Sequence, residues 1–137
     1  MKLAADANVL LSALIGGQAK RVLRHPKAEQ LLTTEAILAE VQEYAPQLPR
    51  KRGLALDLVL LAAATLPVTA VARSVYSAKL SEARRRIGRR DADDVEILAL
   101  ALHSDLPVWS NDNDFEDAGT VWYTTARLPS VLDPGGS

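Results

Sequence analysis

The sequence predicts an α/β fold with a mostly parallel sheet flanked by helices. Three observations carry that prediction. Short apolar runs of strand length alternate with longer helical patterns along the whole chain, the order expected of parallel strands joined by crossover helices. The 137 residues suit one compact domain, and 48% of them are hydrophobic, enough for a single core. Carboxylates recur just beyond the predicted strand ends, where open parallel sheets place their ligands.

Residues 2–5 read as a buried first strand ending at Asp6. Residues 8–15 form a first helix that Gly16 and Gly17 stop, and residues 19–24 a second short helix closed by His25 and Pro26. Residues 30–33 form the second strand. Thr34 caps a helix through Tyr44, in which Ile37, Leu38, Val41 and Tyr44 share one face; Pro46 and Pro49 end it. One helix is expected from Arg50 to about Leu66, weakened at Gly53, with Pro67 breaking it before a strand at 68–71. Ser74 is the expected cap of a helix reaching Ile87. Residues 94–103 are apolar nearly all round, which predicts a helix sandwiched in the core. Strands at 107–109 and 120–124 follow, with a helical turn at 112–117 between them. Trp109 and Trp122 fall in those strands and are expected to pack in the core. The domain is expected over residues 1–132, followed by a flexible tail at 133–137.

Composition excludes several kinds of chemistry. With no cysteine, thiol catalysis, cysteine-bound zinc and disulfide frameworks all drop out. Asp6 precedes any apolar stretch long enough for a signal peptide, and the longest apolar run, 58–66, falls far short of a membrane span of roughly 20 residues. A cytoplasmic protein is expected. The net charge of −1 hides a sharp division. Five of the eleven arginines (Arg84, Arg85, Arg86, Arg89 and Arg90) lie within seven residues, and nine acids with no Lys or Arg occupy 91–117. An Arg patch that steers phosphates beside an acidic pocket that holds metal uses both blocks. An Arg-rich solvated helix is the plainer alternative.

Acids stand at four stations, three of which share one predicted edge of the sheet. Asp6 follows the first strand; Asp112 and Asp114 follow the strand at 107–109; Asp94 opens the buried helix before that strand; Glu40 lies on the helix after the second strand. Several carboxylates brought together repel one another and raise each other's pKa. A divalent cation removes that penalty, and oxygen-only donors favour Mg²⁺ or Mn²⁺ over zinc. Such ions support phosphodiester hydrolysis without a nucleophilic side chain. Each acid also has an ordinary role open to it: Asp6 and Asp112 as caps, Asp91, Asp93 or Asp94 at a helix N-terminus, and Glu40 as a solvated helix residue.

In this order and spacing the segments Asp6-Ala7-Asn8-Val9-Leu10, Ile37-Leu38-Ala39-Glu40-Val41, Asp93-Asp94-Val95-Glu96-Ile97-Leu98 and Ser110-Asn111-Asp112-Asn113-Asp114 resemble the PIN-domain nucleases, which include the VapC-type toxins of toxin–antitoxin pairs. The resemblance runs from Lys2 to about Tyr123. It implies a three-layer α/β/α sandwich, Mg²⁺ or Mn²⁺ as cofactor, and endonucleolytic cleavage of single-stranded RNA. Carried over, Asp6, Glu40, Asp94 and Asp112 are the catalytic metal shell, with Asp114 as a fifth acid. Asn8 and Ser110 orient carboxylates. The resemblance also implies a homodimer and a protein antitoxin as partner. The chain departs from the family in two places. Ala7 stands where many members carry Thr, and the 111–114 segment blends two variants, which leaves the last ligand open between Asp112 and Asp114. The five clustered arginines are the expected RNA contacts, since guanidinium forks match phosphate oxygens; Lys20, Arg21 and Arg24 form a second basic group.

Other readings are weighed against this one. A phosphatase of the haloacid-dehalogenase type would use Asp6 as nucleophile. It also wants a late lysine, and the last here is Lys79. A non-catalytic PIN-like module that binds RNA or protein is the remaining alternative.

Overall fold

A computed structural model describes residues 1–88 and 91–135. Five parallel strands, β1 (Lys2–Ala5), β2 (Gln30–Thr34), β3 (Thr69–Val71), β4 (Val108–Trp109) and β5 (Trp122–Tyr123), form one sheet in the order β3-β2-β1-β4-β5. The three residues Leu3, Ala4 and Ala5 of β1 are fully buried, as a central strand covered on both faces requires. Helices α1 (Ala7–Ile15), α2 (Gly17–Leu23), α3 (Glu35–Tyr44), α4 (Leu48–Arg52) and α5 (Leu56–Ala64) pack together. On the other side α8 (Ala92–Ser104) lies across β1, β2 and β4, with α6 (Arg73–Tyr76) and α7 (Leu80–Ile87) against it. A final helix, α9, spans Leu128–Leu132. The result is the expected α/β/α sandwich.

Five boundaries differ from the sequence expectation, each for a local reason. The helix expected over 50–66 is two helices, because Gly53 adopts φ 63 and ends α4 before the chain restarts at Leu56. Pro46 does not stop the chain's helical course; Pro46 and Pro49 each sit in the first turn of a short helical piece, where no N–H is needed. Ser74 does not cap its helix, which begins at Arg73 and passes through a 3₁₀ turn at Ser77–Lys79 before α7. Asp91, not Asp94, caps α8: its carboxylate accepts from the Asp93 N–H at 2.8 Å, which sets Asp93 and Asp94 in the first turn. Sequence pattern alone also misses α9, whose Leu128 and Leu132 are buried. Asp133, the first residue of the expected tail, is tied to His25 Nε2 at 2.7 Å and Lys27 Nζ at 3.2 Å; the tail's last two residues lie outside the described ones.

The core is aliphatic with three large aromatic side chains, Trp109, Tyr76 and Phe115, fully enclosed. Trp109 Nε1–H donates to Thr125 Oγ1 at 3.0 Å, so its one polar atom is satisfied. Trp122 is half-buried and donates to the Ser110 carbonyl at 2.8 Å. At the end of β2, the buried Thr34 accepts from the Ile37 N–H at 2.9 Å and fixes where α3 begins. Thr34→Ala should cost about 1–2 kcal/mol. A lower urea midpoint with an unchanged slope of the transition would show it.

Candidate metal centre

The chain leaves β1 toward β2 on one side and later enters β4 on the other, so a crevice opens between the carboxyl ends of β1 and β4. In parallel sheets this reversal of strand order is where ligands bind. Asp6 leaves β1 at its floor. Its N–H donates to the Trp109 carbonyl at 3.0 Å, extending the ladder, and its Oδ1 accepts from the Ala7 N–H at 2.8 Å to cap α1. Ladder and cap together fix the carboxylate's direction.

A polar network joins the two strand ends. Ser110, fully buried just after β4, donates its hydroxyl to Asp6 Oδ2 at 2.8 Å. Ser110 Oγ itself accepts from Asn8 Nδ2 at 3.0 Å and from the Asp112 N–H at 3.1 Å, which fills its one donor and two acceptor positions. Asn8 Nδ2 also reaches Asp6 Oδ2 at 3.2 Å, and Asn8 Oδ1 accepts the Asn111 N–H at 3.0 Å. Asn111 Oδ1 in turn accepts from the Thr125 N–H at 2.8 Å. Asn8 and Ser110 therefore stand on Asp6 and on the loop that carries Asp112.

Asp94, Asp112 and Asp114 each present a carboxylate oxygen, all within 4.8 Å of one another. Asp112 also caps the 3₁₀ turn Asn113–Phe115, accepting from the Asp114 N–H at 2.9 Å. Asp94 is 3% exposed, and its Oδ2 is buried with no hydrogen-bond partner among the described residues. Burial pushes its pKa up to about 8; a hydrogen bond shared with Asp114 and the charges of Asp6, Asp112 and Asp114 add to the shift. Burial also pushes Asp6 up to about 6 against the lowering bonds from Ser110 and Ala7, with Asp93 and Asp112 adding repulsion.

Glu40 reaches this region from a different direction. It is exposed on α3 and shares a hydrogen bond with Asp93, which, with burial and the charges of Asp93, Asp91 and Asp6, raises its pKa to about 7. The acids thus form two groups, Asp94–Asp112–Asp114 and Glu40–Asp93, with Asp6 in the field of both. Asp93 is the residue that sequence reasoning set aside. A helix dipole explains an Asp in any first-turn position equally well, so nothing local singles it out; only the approach of α3 to α8 does.

The arginines are divided among different surroundings. Arg84 and Arg85 are exposed on α7. Arg86 is engaged by the fold: its Nη1 donates to the carbonyls of Ala118 (3.2 Å) and Gly119 (3.0 Å), and its Nη2 to Glu82 Oε1 at 2.8 Å. Gly119 has φ 70, and a Cβ there would lie 3.2 Å from Arg86 Nη1, so the clasp demands glycine. Arg89 and Arg90 lie outside the described residues. Lys20, Arg21 and Arg24 are exposed on α2 and just after it.

An oxygen-only donor set with an orphaned, buried carboxylate oxygen at a sheet's switch point fits a hard divalent cation. Fold and site together define a parallel α/β domain with a cluster of carboxylates able to hold a cation. Residues 5–133 match the PIN domain family, and the chain belongs to it. Its fold is similar to a chain in the crystal structure of VapBC2 from Rickettsia felis bound to a DNA fragment from their promoter, with a TM-score of 0.64 and 14% identity over 90% of this chain and 98% of that one. No curated protein matches the chain by sequence. Among the described residues, no helix is long and apolar enough to cross a membrane.

Proposed function

We propose that this PIN domain is a Mg²⁺- or Mn²⁺-dependent endoribonuclease acting on single-stranded RNA, the toxin of a toxin–antitoxin pair. The observation that carries the reading is the Asp94 Oδ2 atom, buried without a partner among the described residues and beside two further carboxylates. Leaving such a charge uncompensated costs several kcal/mol, and a cation offsets it. Asp94, Asp112 and Asp114 hold the ion, with Asp6 and Glu40 completing the acidic shell. When bound, the cation supplies an activated water and neutralises charge on the departing oxygen.

The chain's own groups do the rest. Ser110 and Asn8 keep Asp6 Oδ2 aimed into the crevice, so the carboxylate needs no reorganisation when substrate arrives. Glu40 shares a hydrogen bond with Asp93 at the solvent edge. With a pKa raised to about 7 in the metal-free chain, Glu40 is suited to pass a proton to a leaving oxygen. Arg84 and Arg85 stand on the exposed face of α7 as RNA contacts. Leu58 and Leu61 on α5, 66% and 60% exposed, supply an apolar face of the kind a second copy or an antitoxin covers. The similarity in fold to a VapBC2 chain supports the antitoxin partner, and the site of action is the cytoplasm.

Incubating the purified chain with a mixed RNA pool tests this directly. Cleavage is expected with Mn²⁺ or Mg²⁺ and none with EDTA, and Asp6→Asn should slow it at least about 100-fold. An Asp6→Asn protein as active as the wild type would assign the cleavage to a contaminant. RNA left intact by the metal-loaded wild type would favour a binding module instead.

A further inference from the structure

Beside the acidic crevice lies a cavity of about 670 Å³ with Arg84 in its wall. Ala36 of α3, Arg73 of α6, Arg84 of α7, and Ala92, Val95 and Glu96 of α8 line it. Its position follows from helix geometry. Ala36 precedes Glu40 by one turn on α3, and Ala92 directly precedes Asp93 on α8. The cavity therefore adjoins the Glu40–Asp93 end of the acidic site.

Its walls are built for an anion. Glu96 takes the Arg73 fork through Nε at 2.9 Å and Nη2 at 3.4 Å, and the buried Tyr76 donates its hydroxyl to the same carboxylate at 2.9 Å. This leaves Arg73 Nη1 without a partner among the described residues while the guanidinium plane stays fixed. Arg84 has neither a hydrogen bond nor an ion pair among the described residues. Two arginines against one glutamate leave the cavity with a net positive charge. The adjoining site gathers Glu40, Asp93 and the Asp94–Asp112–Asp114 group, so the cavity offers a favourable exit for a polyanion whose reacting phosphate sits at those acids.

We propose that this cavity seats a phosphate flanking the scissile one, and so sets the path of single-stranded RNA from the Asp6–Asp94 crevice past Glu40 toward α7. The inference rests on the nuclease reading. Arg84 is the principal donor, free to approach the strand, and Arg73 is a second donor preoriented by Glu96.

The test measures fluorescence anisotropy of a labelled single-stranded RNA of about ten nucleotides with the full chain carrying Asp6→Asn, in Mn²⁺, across a series of KCl concentrations. Adding Arg84→Ala should weaken binding about tenfold. It should also lower the slope of log K against log salt by about 0.7, the value for one lost contact to a single strand. Arg84→Lys should keep the slope, and Arg52→Ala, on α4 away from the cavity, should change neither quantity. Affinity and slope untouched by Arg84→Ala would overturn the proposal, even with RNA cleavage by the wild type intact. If the wild type fails to cleave but the Arg84-dependent slope persists, the nuclease reading falls and the anion cavity stands.

Discussion

An Asp94→Asn protein should lose Mn²⁺-dependent RNA cleavage by about 10³-fold or more, yet melt at a higher temperature than the wild type once metal is stripped from both above about pH 8, where the wild-type Asp94 carboxyl is ionised. The two effects have one origin. In the metal-free chain Asp94 is buried in the first turn of α8, facing Asp6, Asp112 and Asp114, with Oδ2 unpartnered. An amide of the same shape removes one negative charge and gains N–H donors for the neighbouring carboxylates. Relief on the order of 1–2 kcal/mol corresponds to roughly 3–8 °C for a domain of this size. The same replacement weakens the cation's hold, and a tenfold loss in rate accompanies each 1.36 kcal/mol of lost transition-state stabilisation, so about 4 kcal/mol gives the expected 10³. Thermal melts in EDTA and in Mn²⁺ separate these contributions. Wild type should gain stability with Mn²⁺, by about 2.7 kcal/mol at a hundred times the dissociation constant, and Asp94→Asn should gain little. A variant that melts lower in EDTA and keeps the full Mn²⁺ response would place the cation elsewhere.

Metal-free wild type should also lose stability as pH rises from about 5 to about 8, the reverse of ordinary acid denaturation. Asp6, Glu40 and Asp94 titrate near 6, 7 and 8 in the fold, against reference values of 3.8, 4.5 and 3.8. Between the reference and folded values the native chain holds protons that the unfolded chain has released. Stability therefore falls with increasing pH across that window, is insensitive to these groups below about pH 4, and reaches its floor above about pH 8. Asp6 alone, buried and shifted by about two pH units, accounts for about 3 kcal/mol. Glu40 adds less, because solvent screens an exposed pair. Asp133 and Glu82, with pKa values lowered by His25 and Arg86 respectively, act in the opposite sense only at acid pH, and weakly, at the surface. Together these terms predict a fall in melting temperature of about 10 °C between pH 5 and pH 8 in EDTA. Saturating Mn²⁺ should flatten or invert the trend, since the cation binds the deprotonated acids. A metal-free melt that is flat or rises over that range would show that the carboxylates do not meet as described.

Much of the fold was legible because burial patterns are local. The nearly all-apolar stretch after Asp94 is a sandwiched helix since nearly every position from Asp94 to Ala101 is buried, and the short runs at 2–5 and 30–33 are strands that pair in parallel. Boundaries set by backbone conformation were harder. Gly53 splits a helix through a positive φ, which hydrophobic spacing does not report. Asp6, Asp94, Asp112 and Asp114 could be singled out because strand ends and sheet topology place them. Asp93 could not, because its role comes from a contact between α3 and α8, some fifty residues apart in the chain. The arginine run shows the same limit. Its described members take unlike parts in space: Arg84 lines a cavity, while Arg86 is bound to two carbonyls.

That Arg86 clasp has a mechanical consequence. Ala118 and Gly119 close the stretch that begins with Asp112 and Asp114, and α7 carries the Arg84 side of the cavity. Fastening one to the other makes the acid-bearing segment and the arginine-bearing helix a single jaw. One of the arginines expected to contact RNA serves instead as a fastening within the fold.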